Sequence, residues 1–131
     1  DMLMKYNLWN MLTSIVNAQK SGKSIIQVPN QKLLISFLNV LWDEGYILGY
    51  KRSALNKTKY SVFLKYKNNQ PAIKKVEFIS KPSNRKYFSL MQLWKIDLSI
   101  GTAILSTSKG ILSLNSCKKY GVGGELFVVI K

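Results

Sequence analysis

Residues 101–125 read GTAILSTSKGILSLNSCKKYGVGGE, and this stretch carries the clearest information about the fold. Its first residues are apolar or β-branched, so 102–106 predicts a strand. The segment 113–120 predicts a short helix with Lys118 and Lys119 favourably placed in its last turn, and 125–130 predicts a closing strand. The stretch therefore predicts a β-rich C-terminal lobe that contains one short helix.

The N-terminal part of the chain predicts the order helix, strand, helix, strand, strand. Apolar residues at helical spacing from Leu8 to Val16 predict an amphipathic helix that Ser21-Gly22 ends, and a second helix is predicted between a capping Asn30 and Gly45. Segments rich in β-branched or alternating residues predict strands at 24–28, 46–52, 59–67, 73–80 and 85–89, and 90–94 predicts one or two helical turns. The strands at 46–52 and 59–67 are expected to pair antiparallel.

A turn-rich segment, Asn68-Asn69-Gln70-Pro71, is the best candidate for a boundary between two lobes. We therefore expect an α/β lobe at 1–71 and a β-rich lobe at 72–131. The fold class predicted is α+β, with a C-terminal lobe that is mostly antiparallel. A chain of 131 residues is long enough for one compact domain or two small lobes that share an interface.

The charge balance points to an anionic partner. Twenty Lys and Arg residues stand against six Asp and Glu, a formal net charge of +14 that is spread along the chain. Such an excess favours nucleic acid or an anionic membrane as the partner. A membrane-surface helix should carry lysines along one face, whereas the first predicted helix has only Lys5 and Lys20 near its ends. No apolar run is long enough to span a bilayer, so we expect no membrane partner.

The residues that most enzymes use are scarce. The sequence has no histidine and a single cysteine, Cys117, which is interpreted as a small packing residue. An enzyme acting on RNA, with Glu125 and Lys109 as acid–base groups, is the alternative, but six scattered acidic residues hardly provide a metal or base cluster. We therefore expect no cofactor, no metal and no small-molecule substrate.

Small polar residues and glycines mark the candidate contact residues. Hydroxyls at Ser106, Thr107 and Ser108 can bond phosphate or a ribose 2′-OH, or they can satisfy the backbone of their own turn. The glycines at 121, 123 and 124 allow either close backbone approach or a helix end before the last strand. Tyr87 is flanked by Arg85 and Lys86, a combination that suits stacking on nucleotides. Five other large aromatics are expected in the core or on sheet faces: Trp9, Trp42, Trp94, Tyr60 and Tyr66.

The segments 101–112 and 121–126 together resemble the C-terminal signature of the small-subunit ribosomal protein eight family. That signature is serine-threonine-serine-lysine-glycine, followed at a fixed distance by glycine-glycine-glutamate. The resemblance covers nearly the whole chain, with further similarity at 10–19, 29–32 and 39–47. It implies two α+β lobes, of which the second, 72–131, would bind rRNA, and a non-enzymatic role in translation. In that role the protein binds the central domain of small-subunit rRNA beside neighbouring small-subunit ribosomal proteins and supports assembly.

The resemblance also implies roles for individual residues. The principal RNA-contact loop would be Ser106, Thr107, Ser108, Lys109 and Gly110. Gly123, Gly124 and Glu125 would shape and brace it with Tyr87 nearby, and Lys32 in the N-terminal lobe would contact phosphate. The family usually has threonine-aspartate where this chain has Ser113-Leu114, so the expected acidic cap of the short helix is missing.

Composition bears on the compartment. Arg52 and Arg85 are the only arginines, while Lys, Asn, Ile and Tyr are plentiful, a bias expected of an A+T-rich genome. Trp42 and Trp94 stand at positions similar to those in mitochondrial members of the family. We therefore expect a mitochondrial ribosome, in the mitochondrial matrix, with a plastid or the bacterial cytoplasm as alternatives.

Overall fold

The structure is a computed structural model that describes residues 2–81, 83–97, 99 and 101–131, with side chains from Lys5 onward. It has an α+β fold that divides into two compact units, Asp1–Lys74 and Lys75–Lys131. The fold class expected from the sequence is therefore confirmed. The assignment of lobes to 1–71 and 72–131, with RNA binding in the second, stays a prediction.

The N-terminal unit packs two helices and a three-stranded antiparallel sheet around an apolar core. Its elements are α1 (Met2–Lys20), β1 (Ile25–Pro29), α2 (Lys32–Asp43), β2 (Ile47–Arg52), β3 (Lys59–Leu64), β4 (Tyr66–Lys67) and β5 (Gln70–Pro71). The sheet has the strand order β1-β3-β2, and β4 pairs with β5 as a separate hairpin. The antiparallel pairing expected between the strands at 46–52 and 59–67 is therefore confirmed.

The apolar stripe of α1 is used inside this unit. Leu8, Leu12 and Ile15 are all buried, as the helical spacing predicts. A membrane-surface helix would need that face free, so α1 does not fit this alternative. Within the described part of the chain, no helix is long and apolar enough to cross a membrane.

Two local predictions in this unit were wrong. Asn30 does not cap α2, because the N-cap position falls one residue later, at the extended Gln31, which makes no side-chain capping bond and whose Oε1 accepts the Asn7 side-chain amide at 3.0 Å. The strand predicted at 59–67 divides after Leu64 because the chain changes its pairing partner. Up to Leu64 it pairs with β1 and β2, whereas from Tyr66 it pairs with β5 across a turn in which Asn68 and Asn69 have φ of 54° and 63°.

The C-terminal unit is an antiparallel sheet with two short helices. Its elements are β6 (Val76–Phe78), β7 (Tyr87–Phe88), α3 (Leu90–Leu93), β8 (Thr102–Thr107), β9 (Gly110–Ser113), α4 (Leu114–Tyr120) and β10 (Gly124–Ile130). The strand order is β6-β10-β8-β9, and β7 also pairs with β10. The strand predicted at 73–80 is shorter than expected: Ile73 belongs to the N-terminal unit, where its backbone exchanges hydrogen bonds with the side-chain amide of Gln19.

Buried apolar side chains hold the short helices against this sheet. They include Leu93 of α3, Leu114 and Cys117 of α4, and Leu105 of β8. Burial of one leucine side chain contributes about 1.5–3 kcal/mol. Cys117 has no exposed surface, and desolvation raises the pKa of its thiol above the ordinary value. Its interpretation as a packing residue is confirmed.

Helix α4 is capped by a serine, and Leu114 stands where the family resemblance implies an acidic residue. Ser113 is extended at the helix start, and its hydroxyl oxygen accepts the Ser116 N–H at 3.4 Å. The other end is closed by Gly121 in the left-handed conformation, with φ of 69°. The helix therefore begins at Leu114 without a carboxylate in its first turn.

Ser113→Ala should lower the free energy of unfolding by about 1 kcal/mol, because α4 loses its capping acceptor. Urea denaturation followed by circular dichroism measures the change. Ser108→Ala is the matched control, since Ser108 is an exposed turn residue, and it should stay within about 0.5 kcal/mol of wild type. Equal stabilities of the two variants would contradict this role for Ser113.

Candidate nucleic-acid interface

Three segments that are distant in sequence meet at the start of β10. Glu125 is paired with Ser106 of β8 on one side and with Tyr87 of β7 on the other. Cross-strand partners in an antiparallel sheet project to the same face. The structure thus aligns Tyr87, Glu125 and Ser106 in one row across the sheet.

The segment 106–110, expected to be a loop, is a tight β-hairpin. Ser106 and Thr107 lie in β8, Ser108 and Lys109 form the turn, and Gly110 begins β9 opposite Thr107. Gly110 has φ of 102°, a conformation that favours glycine. The strand β9 was not anticipated, so the description of this segment as a loop is corrected.

Thr107 closes the hairpin with its own hydroxyl. Its Oγ1 donates to the Gly110 carbonyl at 2.8 Å and accepts the Lys109 N–H at 3.0 Å. For this residue, the interpretation as a hydroxyl that satisfies its own turn is therefore the better one.

The two neighbouring serines differ from Thr107. Across the part of the chain that the structure describes, the hydroxyls of Ser106 and Ser108 have no hydrogen-bond partner. Ser108, Lys109 and Gly110 are exposed, whereas Ser106 is half-buried. The hairpin tip therefore presents the Ser108 hydroxyl and the Lys109 ammonium group to solvent, and the half-buried Ser106 hydroxyl lies on the adjoining strand.

Two glycines let the backbone pack closely at this site. A Cβ at Gly124 would overlap the Ser106 carbonyl oxygen and lie 2.9 Å from the Thr107 methyl carbon. A Cβ at Gly123 would overlap the Phe88 carbonyl oxygen. Only glycine fits at either position, which selects close backbone approach over simple chain punctuation for these two residues.

Glu125 lies inside the row rather than at its surface. Only 7% of the residue is exposed, and its neighbours on both sides are paired strands. The arrangement keeps most of its carboxylate away from an approaching ligand. This position suits a residue that supports Tyr87 and Ser106 on either side of it.

The segment Arg85-Lys86-Tyr87 is exposed on the other side of β10. Tyr87 is 63% exposed. The backbone at Lys86 is fixed, because its carbonyl accepts the Leu126 N–H at 2.9 Å and its N–H donates to the Ser80 hydroxyl at 2.9 Å. A free aromatic ring next to two cations is thereby held on an anchored strand. Lys32, by contrast, is the exposed first residue of α2 and belongs to the N-terminal unit.

The sequence predicts core or sheet-face positions for the tryptophans, and a core position is wrong for all three; Trp42 instead packs edge-on against Tyr50 of strand β2. Trp9, Trp42 and Trp94 are 47%, 50% and 62% exposed, because leucine, isoleucine and phenylalanine fill the cores. The Lys118 ammonium lies 4.8 Å from the centre of the Trp94 ring. The signal that could have indicated an exposed Trp94 is the polar Gln92 and the cation Lys95 on either side of it.

The fold and the site define a class: a basic α+β protein without histidine that exposes a hydroxyl-rich hairpin. The family described as Ribosomal protein S8 matches residues 7–130. Small ribosomal subunit protein uS8 of Pseudomonas fluorescens strain Pf0-1 is 39% identical over 129 residues, which cover 98% of this chain and 99% of that protein. The uS8 protein of Stutzerimonas stutzeri strain A1501 has the same identity and coverage. The chain belongs to the ribosomal protein S8 family, whose members are structural proteins and not enzymes.

Membership confirms the family resemblance found in the sequence. It also shows that the alternative of an RNA-processing enzyme, with Glu125 and Lys109 as acid–base groups, was wrong. The burial of Glu125 agrees with this outcome.

Gly124→Ala should shift the hairpin as well as destabilise the fold, because the new methyl group would displace the Ser106 carbonyl. We expect a loss of about 1–3 kcal/mol in the free energy of unfolding, the range typical of overpacking. Backbone amide chemical shifts at 106–110 should change in the same variant.

Gly22→Ala is the matched control for Gly124→Ala. Gly22 has φ of 72° but no atom within 4 Å of an added Cβ, so its substitution tests backbone strain without overlap. It should leave the hairpin shifts unchanged. Unaltered hairpin shifts in Gly124→Ala would show that the glycine is not needed to place the hairpin.

Proposed function

We propose that this protein is a structural constituent of the small ribosomal subunit that binds the central domain of small-subunit rRNA and supports its assembly in translation. Membership of the family and the names of the bacterial relatives support the subunit assignment. Its partners would be that rRNA and the neighbouring small-subunit ribosomal proteins. The formal net charge of +14 suits a polyanion ligand.

The single observation that carries the RNA-binding proposal is the exposed hairpin beside the row of Tyr87, Glu125 and Ser106. The minor groove of an RNA helix is wide and shallow and displays 2′-hydroxyls and base edges. A hairpin with one free hydroxyl at its tip, Ser108, and a second beside it on β8, Ser106, can enter such a groove. Ser106 and Ser108 then exchange hydrogen bonds with RNA, and Lys109 neutralises phosphate.

The remaining candidate residues divide into contact and support. Tyr87 stacks on an unpaired base while Arg85 and Lys86 pair with phosphates, since all three are exposed. Lys32 offers a further phosphate contact from the N-terminal unit. The support residues act by fixing the hairpin: Thr107, Gly110, Gly123, Gly124 and Glu125.

The affinity for a central-domain rRNA fragment should fall steeply with salt, and Lys109→Ala should make the dependence shallower. Each neutralised phosphate contributes about −0.7 to −0.9 to the slope of log K against log salt concentration. The slope of the Lys109→Ala variant should therefore be less steep by about that amount. Ser108→Ala should weaken binding about threefold to tenfold, the equivalent of one hydrogen bond, with little change in slope. Filter binding across a salt series measures both effects.

Two control variants separate these effects from general damage. Lys131 forms an ion pair with Glu77 at 3.2 Å, so Lys131→Ala should leave the slope nearly unchanged. Ser14 is exposed on α1, and Ser14→Ala should leave the affinity unchanged. Equal affinity of the wild-type protein for the rRNA fragment and for an arbitrary duplex RNA would refute the proposed function.

The proposed location is the mitochondrial ribosome, on the grounds of the A+T-type composition; the relatives named above are bacterial. An antibody against the chain should detect it in small ribosomal subunits sedimented from purified mitochondria of the source organism. Its recovery only with plastid or bacterial ribosomes would overturn the location but not the function.

A further inference from the structure

The C-terminal unit exposes a second aromatic and basic surface that the hairpin does not include. It consists of Met91, Trp94 and Lys95, at and just after α3, together with Lys118 and Lys119 of α4, and we call it the Trp94 platform. Met91 and Trp94 are 73% and 62% exposed. Lys118 is half-buried, whereas Lys95 and Lys119 are exposed.

The platform is fixed by its surroundings. Ser89 and Gln92 form a reciprocal capping box at the start of α3, with bonds of 2.8 and 3.2 Å. Leu93 has no exposed surface and anchors the helix in the core, so Trp94 is held at the end of a rigid turn. Lys118 lies 4.8 Å from the ring centre, a cation–π contact that further limits the indole. Even with this contact, most of Trp94 remains open to solvent.

The charges of this unit favour an anionic ligand. Residues 75–131 contain nine basic and three acidic residues. Of the three carboxylates, Glu125 is buried and Glu77 pairs with Lys131. Asp97 is the acidic residue nearest to Trp94 in sequence, and its carboxylate accepts the Ser99 N–H at 2.9 Å. The platform has three lysines, Lys95, Lys118 and Lys119, against this one carboxylate.

A ligand with flat apolar faces and negative charge is a nucleotide of single-stranded RNA, which binds on aromatic rings flanked by cations. We propose that Trp94 stacks on an unpaired base of the same rRNA while Lys95, Lys118 and Lys119 neutralise the adjoining phosphates. This inference rests on the proposed function, but it assigns a separate contact from those of the hairpin and of Tyr87. It predicts that the RNA site extends beyond a double-stranded groove into unpaired nucleotides.

Fluorescence can report on this contact directly. In the background Trp9→Phe/Trp42→Phe, Trp94 is the one tryptophan left, since the sequence contains three. Titration with a central-domain rRNA fragment that retains its unpaired nucleotides should quench Trp94 emission. The same fragment with those nucleotides paired to complementary oligonucleotides should quench it much less.

Affinity gives a second, independent measure in the otherwise wild-type protein. Trp94→Ala should weaken binding of the unpaired fragment about five- to thirtyfold, as expected for loss of one stacked base. Trp94→Phe should retain most of the affinity because an aromatic face remains. Trp42→Ala is the matched control, an exposed tryptophan of the other unit, and it should bind as wild type does.

The outcomes distinguish this inference from the function beneath it. If wild type prefers the rRNA fragment over arbitrary duplex but Trp94→Ala binds equally well and no quenching occurs, the platform is not an RNA contact. Quenching by small-subunit ribosomal proteins, without quenching by RNA, would also overturn the inference and would identify a protein-binding surface. A wild-type protein without any preference for the fragment would instead defeat the proposed function itself.

Discussion

The close approach of two backbones at Gly124 and Ser106 is the contact on which the candidate site depends. At this point β10 is hydrogen-bonded to β8 on one side and to β7 on the other, with no room for a side chain at Gly124. Gly123 meets the Phe88 carbonyl under the same constraint. Because neither glycine has a side chain, β10 packs closely against both the hairpin and the aromatic segment 85–88, and the buried Glu125 lies between them.

Much of the fold could be predicted from the sequence because periodic apolar residues fill the cores. The stripes of α1 and α2 and the alternation of β3 are local patterns that survive packing. The errors arose where a distant partner decides. The N-cap position of α2 falls on Gln31 rather than on Asn30, and the Gln31 side chain bonds to Asn7 of α1. The strand β9 follows a Ser108-Lys109 turn that lacks the usual hairpin dipeptides, so only its pairing with β8 reveals it.

The sequence predicts which residues form the candidate site, but it does not predict which of them bond within the hairpin and which remain unbonded. Sequence alone cannot separate three adjacent hydroxyls, because the separation depends on where each side chain points. Thr107 turns inward to the hairpin backbone, while Ser106 and Ser108 keep their hydroxyls unbonded within the described structure. The tryptophans show a similar limit. Leu93 is buried and its neighbour Trp94 is exposed. Both residues are apolar, so the sequence does not show which of the two enters the core.

The neutral cap of α4 has an electrostatic consequence for the hairpin that precedes it. Strand β9 runs directly from Gly110 into Ser113, so a charge at the start of α4 would act on RNA bound at the proposed hairpin contact. An aspartate there would stabilise the helix but would also repel phosphate oxygens. The Ser113 hydroxyl accepts a backbone N–H at the helix start and is neutral, so it adds no negative charge. Helix stability and attraction for a polyanion are thereby uncoupled in this chain.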